Sequence, residues 1–188
     1  MDTNSVKRLR EIASEVGAFL QGDFTLASGQ RSDRYFEGKR VTLWPEGARL
    51  VGEVLFELLA DAGVDAVGGL ATGAYPIVTA VTLVSELKGK PLPSFIVREE
   101  PKQHGTQRLI EGHIEEGWRV AIVDDVITKG GSIKKAIEAV KAANCQVVKV
   151  IVLVDRHEGG SDELRRMGYD FTALLGHLAS GEITIEQS

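Results

Sequence analysis

Two adjacent carboxylates stand directly before a glycine-rich turn in the most distinctive segment of the chain, VAIVDDVITKGGS at residues 120–132. Glycines let backbone N–H groups approach an anion, and the start of a helix adds unpaired donors and a favourable dipole. The carboxylates of Asp124 and Asp125 cannot bind phosphate, but they can accept hydrogen bonds from vicinal hydroxyls or lie near a metal. The segment therefore predicts a site for a sugar phosphate, with the phosphate in the turn and the sugar diol on the acids.

Other interpretations of this segment can be compared with the rest of the sequence. A nucleotide hydrolase with a metal-binding Asp-Asp pair would need a G-x-x-x-x-G-K-[ST] loop, which the sequence lacks. A dinucleotide fold would need G-x-G-x-x-G, and residues 68–73, GGLATG, do not have that spacing. A strand, turn and helix without any ligand remains the structural alternative.

Short apolar runs alternate with amphipathic, helix-like segments along most of the chain. The strand-like runs are Ala66–Leu70, Ser94–Val97, Arg119–Val123, Val147–Val154 and Tyr169–Leu174, and the helical patterns cover 6–20, 45–62, 74–87 and 132–143. This alternation predicts an α/β fold with a central parallel sheet flanked by helices. Ligands of such sheets bind outside the carboxyl ends of the strands, where the turn after Val123 must lie.

A long polar segment, residues 98–118, interrupts this pattern between two core strands. Loops of that length inside a compact domain are usually lids or binding loops. An exposed β-hairpin, in which Gln107–Ile110 pairs with His113–Ile114, is the alternative interpretation. A mobile loop with a short hairpin at its base would be consistent with both interpretations.

Composition limits the possible classes of protein. The chain has 188 residues, 43% hydrophobic and 26% charged, which suits one soluble domain with an ordinary core. Its net charge of −5 argues against a protein that wraps nucleic acid. No stretch approaches the ~20 apolar residues of a membrane span, and the charged N-terminus does not resemble a signal peptide. We therefore expect a cytoplasmic protein with neither membrane nor nucleic-acid partners.

The segment Val120 to Ser132 resembles the phosphoribosyl pyrophosphate (PRPP) motif of the type I phosphoribosyltransferases. Three further segments resemble the orotate-specific branch of that family: Phe24–Gly29 its N-terminal hood, Arg98–Gly105 its catalytic loop and Asp155–Gly160 its base-contacting loop. The resemblance covers about residues 5–175. It implies a single phosphoribosyltransferase domain over 1–188, with a small hood at about 1–43, a core at about 44–175 and a flexible catalytic loop at about 98–118.

The resemblance also implies an activity and a role for individual residues. The expected reaction transfers the 5-phosphoribosyl group of PRPP to orotate, giving orotidine 5'-phosphate and pyrophosphate in de novo UMP biosynthesis. Catalysis would involve Lys102, His104, Asp124 and Asp125, and orotate would contact Thr128 and Arg156. PRPP would contact Arg98, Glu99, Lys102, His104, Asp124, Asp125, Val126, Ile127, Thr128, Lys129, Gly130, Gly131 and Ser132.

The family resemblance further implies Mg²⁺ held mainly by PRPP rather than by protein ligands, and a homodimer whose catalytic loop serves the neighbouring active site. Two alternatives remain at this point: a family member that uses a purine base, and a non-catalytic regulator that senses PRPP. The sequence departs from the family at Glu99, where many members carry Lys at the start of the catalytic loop. A carboxylate facing pyrophosphate is electrostatically unfavourable.

Overall fold

The computed structural model of the chain describes residues 2–25, 29, 31–100 and 109–186. The helices are α1 Thr3–Glu15, α2 Lys39–Thr42, α3 Pro45–Ala60, α4 Ala74–Leu87, α5 Gly131–Ala142 and α6 Gly160–Arg166. The strands are β1 Phe19–Thr25, β2 Arg31–Phe36, β3 Ala66–Leu70, β4 Ser94–Val97, β5 Ile110–Gly112, β6 Arg119–Ile127, β7 Gln146–Asp155, β8 Asp170–His177 and β9 Ile183–Ile185.

The main sheet of the described residues has the strand order β5-β4-β3-β6-β7-β8-β9. Its five central strands are parallel, whereas β5 and β9 run antiparallel at the two edges. The predicted α/β class, with helices covering a largely parallel sheet, is confirmed. Parallel central strands bring the loops after β3, β6 and β7 to one edge of the sheet, where ligands of such folds bind.

Both faces of the sheet are covered by helices, because alternate residues of each central strand point in opposite directions. On one face, Ala121 and Val123 of β6 share a core with buried residues of α1, α3 and α4. On the other face, Val120 and Ile122 share a core with α5 and α6. The sheet is thus buried on both sides, which explains why its strands appear in the sequence as continuous apolar runs.

The N-terminal segment differs from the sequence prediction. The opening helix ends at Glu15 rather than continuing to residue 20, because Gly17 turns the chain with a positive φ of 63°. Phe19 and Leu20 instead belong to β1, which pairs antiparallel with β2 in a separate two-stranded sheet. This hairpin and the short α2 together place residues 31–39 beside the carboxyl end of the main sheet.

Strand β6 is longer than predicted. It does not end at Val123, since the backbone stays in the ladder through Asp124, opposite Val152, to Ile127, opposite Asp155. The neighbouring β7 continues beside it and pairs with Asp124, Val126 and Ile127. The two acids therefore lie in the last part of the strand and not in the turn that follows it.

Residues 109–118 do not form the predicted internal hairpin. Ile110 pairs with Val97 of β4, not with His113 or Ile114, so β5 adds an edge strand to the main sheet. The sequence interpretation also missed α6 and β9, which are short. Within the described residues, no helix is both long and apolar enough to cross a membrane.

Candidate active site

Asp124 and Asp125 lie at the carboxyl end of β6 and face a cleft of about 170 Å³. Asp124 is 7% exposed, and its Oδ1 accepts a hydrogen bond of 3.0 Å from the backbone N–H of Asp125. The same cleft is lined by Ser132 of α5, by the loop after β3 and by the hood. The structure thus brings the acids and the glycine-rich turn together as the sequence predicted.

Two glycines make room for the acidic pair. A Cβ atom at Gly73 would lie 2.7 Å from Asp124 Oδ1 and 2.8 Å from Asp125 Oδ1. A Cβ atom at Gly38 would collide with Asp125 Oδ2. Neither position can hold a larger residue unless the carboxylates move, so the loops before α2 and α4 are shaped around this pair.

Burial makes the two acids difficult to ionise. The pKa of Asp124 is raised well above its ordinary value, first because the carboxyl is desolvated and second because Asp125 carries a like charge. Burial also raises the pKa of Asp125, and the nearby ammonium of Lys39 opposes that rise. A ligand that donates hydroxyl hydrogen bonds or brings a cation would favour the ionised pair.

The turn after β6 has the features of an anion site. Gly130 has a φ of 73°, which a residue with a side chain rarely adopts, and α5 begins at the next residue. In the part of the chain that the structure describes, no side chain caps the first N–H groups of α5. These donors, together with the hydroxyl of Ser132, are arranged as a phosphate would require.

The loop after β7 packs directly on this turn. The N–H of Arg156 donates to Ile127 O at 3.1 Å, and the N–H of Gly160 donates to Thr128 O at 3.0 Å. A Cβ atom at Gly160 would lie 2.5 Å from Thr128 O and 2.7 Å from Gly130 N. Thr128 and Arg156, both predicted to contact the base, are therefore held in adjoining loops.

The guanidinium of Arg156 is buried, with its side chain 2% exposed. Its Nη2 donates to Ser32 Oγ at 2.7 Å and contacts Glu158 Oε1 at 2.8 Å. Among the described residues no group accepts a hydrogen bond from Arg156 Nε, although this atom is fully buried. Buried donors are seldom left unpaired, so this nitrogen is suited to an acceptor on a ligand.

The structure describes only some of the residues predicted for the catalytic loop. Arg98 Nη1 is 3.5 Å from Glu111 Oε1, and Arg98 Nε donates to Glu100 O at 3.2 Å. Glu99 lines the same cleft as the acidic pair. Lys102 and His104 lie outside the described residues.

Several residues that line the cleft are not among the predicted substrate contacts. Tyr35 and Lys39 come from the hood, and Thr72 and Gly73 come from the loop after β3. The GGLATG run was a signal for the second group, because glycines at the end of a buried strand indicate close approach of the backbone. The hood residues carry no such signal, since only the tertiary structure brings them to the acids.

The class of the protein is indicated by a largely parallel α/β sheet with an acidic pair and a glycine-rich turn, residues 128–132, at its carboxyl edge. The family model described as "Phosphoribosyl transferase domain" matches residues 37–167. These residues include β6, the acidic pair, the phosphate turn and the base-contacting loop. The match gives the class by sequence, in agreement with the geometry.

Proteins of similar sequence and structure indicate which kind of phosphoribosyltransferase this chain resembles. Orotate phosphoribosyltransferase of Nostoc sp. is 46% identical over 159 residues, which is 84% of this chain and 77% of that protein. A phosphoribosyltransferase structure from Corynebacterium diphtheriae is 35% identical with a TM-score of 0.79, covering 92% of this chain and 96% of that one. The Mycobacterium tuberculosis orotate phosphoribosyltransferase in complex with PRPP is 32% identical with a TM-score of 0.74 and the same coverage. The chain belongs to the orotate phosphoribosyltransferase family.

Proposed function

We propose that this chain transfers the 5-phosphoribosyl group from PRPP to orotate, releasing pyrophosphate and giving orotidine 5'-phosphate. The observation that carries the proposal is the packing of the Arg156 loop on the phosphate turn through the 3.0 Å bond between Gly160 and Thr128. A base held by the first loop would then lie beside a ribose phosphate held by the second. The names of the relatives, and the PRPP complex of one of them, support the same pair of substrates.

The 5-phosphate and the ribose hydroxyls of PRPP each have a chemically matched partner at the carboxyl end of β6. The 5-phosphate suits the uncapped start of α5, with Lys129, Gly130, Gly131 and Ser132 around it. The ribose hydroxyls suit Asp124 and Asp125, which are acceptors once ionised. Val126 and Ile127 complete the strand that connects the two groups.

Orotate carries a carboxylate, and the guanidinium of Arg156 matches it in charge and in planar geometry. The buried Nε of Arg156 lacks a protein acceptor among the described residues, which supports a ligand at this position. The hydroxyl of Thr128 would contact the base from the adjoining loop. A purine has no carboxylate to pair with this arginine.

The transfer breaks the bond between ribose C1 and pyrophosphate and forms a bond from C1 to a ring nitrogen of orotate. Positive charge develops on the sugar and negative charge on the leaving group, so positioning and charge stabilisation provide the catalysis. Arg98, Lys102 and His104 would contact the departing pyrophosphate. Asp124 and Asp125 would hold the ribose and stabilise the developing positive charge.

Mg²⁺ is the metal expected for this reaction, and it would neutralise charge on the pyrophosphate oxygens. The described residues contain no group of three or more His, Cys, Asp or Glu side chains placed to hold a metal. The carboxylates that line the cleft are the adjacent Asp124 and Asp125, and Glu99 from the start of the catalytic loop. This set fits an ion bound mainly through substrate oxygens, as Mg²⁺ commonly is.

We further propose that the chain acts as a cytoplasmic homodimer with shared active sites. A groove of about 660 Å³ between α3 and α4 is flanked by exposed apolar side chains, among them Leu43, Tyr75, Leu83 and Leu87. Leu87 is 76% exposed and Leu83 59%. Patches of this kind mark interaction surfaces. Since α4 begins directly after Gly73, a second copy on this surface would lie close to the acidic pair.

The test is an absorbance assay for orotate consumption with PRPP and Mg²⁺, with adenine, hypoxanthine, xanthine and uracil as alternative bases. We expect loss of orotate only, and its abolition in Arg156→Ala. Arg166→Ala, which removes an exposed arginine on α6, is the matched control and should retain activity. Turnover of a purine with no turnover of orotate would refute the proposed substrate and leave the PRPP site intact.

A further inference from the structure

Ser32 connects the hood to the base-contacting loop. Its Oγ accepts a 2.7 Å hydrogen bond from Arg156 Nη2, although the two residues are separated by 124 positions in the sequence. Ser32 is in β2 of the hood hairpin, and Arg156 follows β7 of the core sheet. This bond is a direct polar contact between the hood and the arginine that is proposed to bind orotate.

The hydroxyl of Ser32 has no bonding capacity left for another role. A serine hydroxyl has one donor and two acceptor sites. Ser32 Oγ donates to Arg34 O at 2.8 Å and accepts from Arg34 N at 3.2 Å as well as from Arg156. The two bonds to Arg34 therefore fix the orientation of the hydroxyl independently of Arg156.

The strand that carries Ser32 is itself attached to the core. Arg34 Nη1 donates to the backbone carbonyls of His177 and Leu178 at the end of β8. Ser32 is thus not on a free hairpin, and its position relative to the sheet is defined. A fixed acceptor of this kind can fix the rotamer of a long, flexible side chain.

Arg156 Nη2 donates a hydrogen bond to Ser32 Oγ and forms an ion pair with Glu158 Oε1 at 2.8 Å. These two contacts restrict the orientation of the guanidinium. The buried Nε is then presented without a protein partner among the described residues. Preorganisation of this kind lowers the entropy cost of binding a planar carboxylate.

We propose that Ser32 is a positioning residue that fixes the Arg156 guanidinium for recognition of the orotate carboxylate. The inference rests on the proposed function, because orotate is the ligand assigned there to Arg156. It adds a specific role for the hood: the hood sets the affinity for the base through one hydroxyl group. It assigns Ser32 no contact with PRPP.

The experiment measures the KM for orotate and the KM for PRPP separately in four proteins: wild type, Ser32→Ala, Arg156→Lys and the double variant. We expect Ser32→Ala to raise the KM for orotate about tenfold, as loss of a hydrogen bond to a charged group does, while the KM for PRPP changes less than about twofold. In the Arg156→Lys background, the same serine substitution should have little further effect, because the two residues act as a unit.

Two further variants separate positioning from folding. Ser32→Thr retains a hydroxyl and should restore the KM for orotate to near the wild-type value. Ser32→Cys is close to serine in shape but is a weak acceptor, and it should behave like Ser32→Ala. Ser14→Ala removes an exposed hydroxyl on α1 and is the matched control, with both KM values unchanged.

The possible results show separately whether the role of Ser32 or the proposed function is wrong. If Arg156→Lys leaves the KM for orotate unchanged, Arg156 does not bind orotate. The proposed role of Ser32 is then wrong as well. If Arg156→Lys raises that KM but Ser32→Ala does not, only the inference is overturned. Equal rises in both KM values for Ser32→Ala would also overturn it, since the serine would then only stabilise the hood.

Discussion

Gly160 donates its backbone N–H to the carbonyl oxygen of Thr128 at 3.0 Å, which joins the base-contacting loop to the phosphate turn. The two loops follow different strands, β7 and β6, and both precede helices. Their close approach depends on the absence of a side chain at residue 160, where a Cβ atom would be 2.5 Å from Thr128 O. Binding of the two substrates of the proposed reaction is therefore expected to be coupled through this contact between the loops.

Gly160→Ala should force the two loops apart. We expect the KM values for orotate and PRPP to rise together and the free energy of unfolding to fall by about 1–3 kcal/mol, as for other overpacked sites. Gly89→Ala is a useful control, because Gly89 has a φ of 69° but open space around it. That variant should lose about 1 kcal/mol of stability with both KM values unchanged. If the KM values change to a similar extent in both variants, the loss of stability alone explains the change and the loop contact does not.

Glu99→Lys should lower the KM for PRPP. Glu99 lines the cleft with Asp124 and Asp125, so replacing its negative charge would reduce repulsion of the pyrophosphate. The decrease in the KM for PRPP should become smaller as salt concentration rises, because exposed charges are screened. Glu100→Lys makes the same change one residue further along and serves as the control. An unchanged or higher KM in Glu99→Lys would refute the electrostatic explanation of this substitution.

Asp124→Asn should stabilise the free protein while abolishing turnover. The pKa of Asp124 is raised by burial and by Asp125, so the folded state holds its proton more tightly than the unfolded state. Stability from this group is full below pH about 4, the ordinary range of an aspartate, and decreases as pH rises toward the raised pKa. Urea denaturation should show the advantage of the variant at pH 7 and its disappearance near pH 4. Asp61→Asn, at an exposed aspartate, should show neither effect.

His177 should contribute to the loss of stability in acid. Burial is the main cause that lowers its pKa to about 4, and the positive charges of Arg34 and Arg156 add to it. The unfolded state therefore binds a proton first as pH falls, and stability present above pH about 6.5 is lost down to about pH 4, by at most about 3 kcal/mol. His177→Phe removes the titrating group and retains an aromatic ring beside Phe19. Its stability should fall less than that of the wild type over this range, and parallel curves would contradict the prediction.

Leu87→Glu should shift the proposed dimer toward monomer. Leu87 is 76% exposed at the end of α4, and a carboxylate there would be desolvated in an interface. Sedimentation velocity should show the smaller species, and activity per chain should fall if active sites are shared. Met167→Glu places the same charge at another exposed apolar residue and should leave both unchanged. A monomeric wild type would refute the dimer directly.

The fold class and the centre of the site were predictable from the sequence, for reasons that particular residues illustrate. Val120 to Val123 are buried on both faces of the sheet and so appear as an unbroken apolar run, and Gly130 marks the turn before α5. The end of β6 was not predictable, since Asp124 stays in the ladder only because β7 provides Val152 opposite it. The strand β5 was also missed, because its pairing with β4 depends on the tertiary position of that edge.

The hood contribution to the site had no local signal. Lys39 lies near Asp125, and Gly38 packs against it, although more than 80 residues separate them in the sequence. Such long-range contacts leave no periodicity in the residues involved. The resemblance to a family indicated a hood, but the pairing of Ser32 with Arg156 came only from the three-dimensional arrangement.

The bond between Ser32 and Arg156 also bears on when this protein becomes able to bind its base during synthesis. The hood hairpin leaves the ribosome well before Arg156, which is 124 positions after Ser32, and before the His177 carbonyl that anchors Arg34. A fragment that contains β1 to α5 already has the phosphate turn but not the arginine. The nascent chain should therefore acquire its sugar-phosphate site before its base site, and the latter only once β8 has been made.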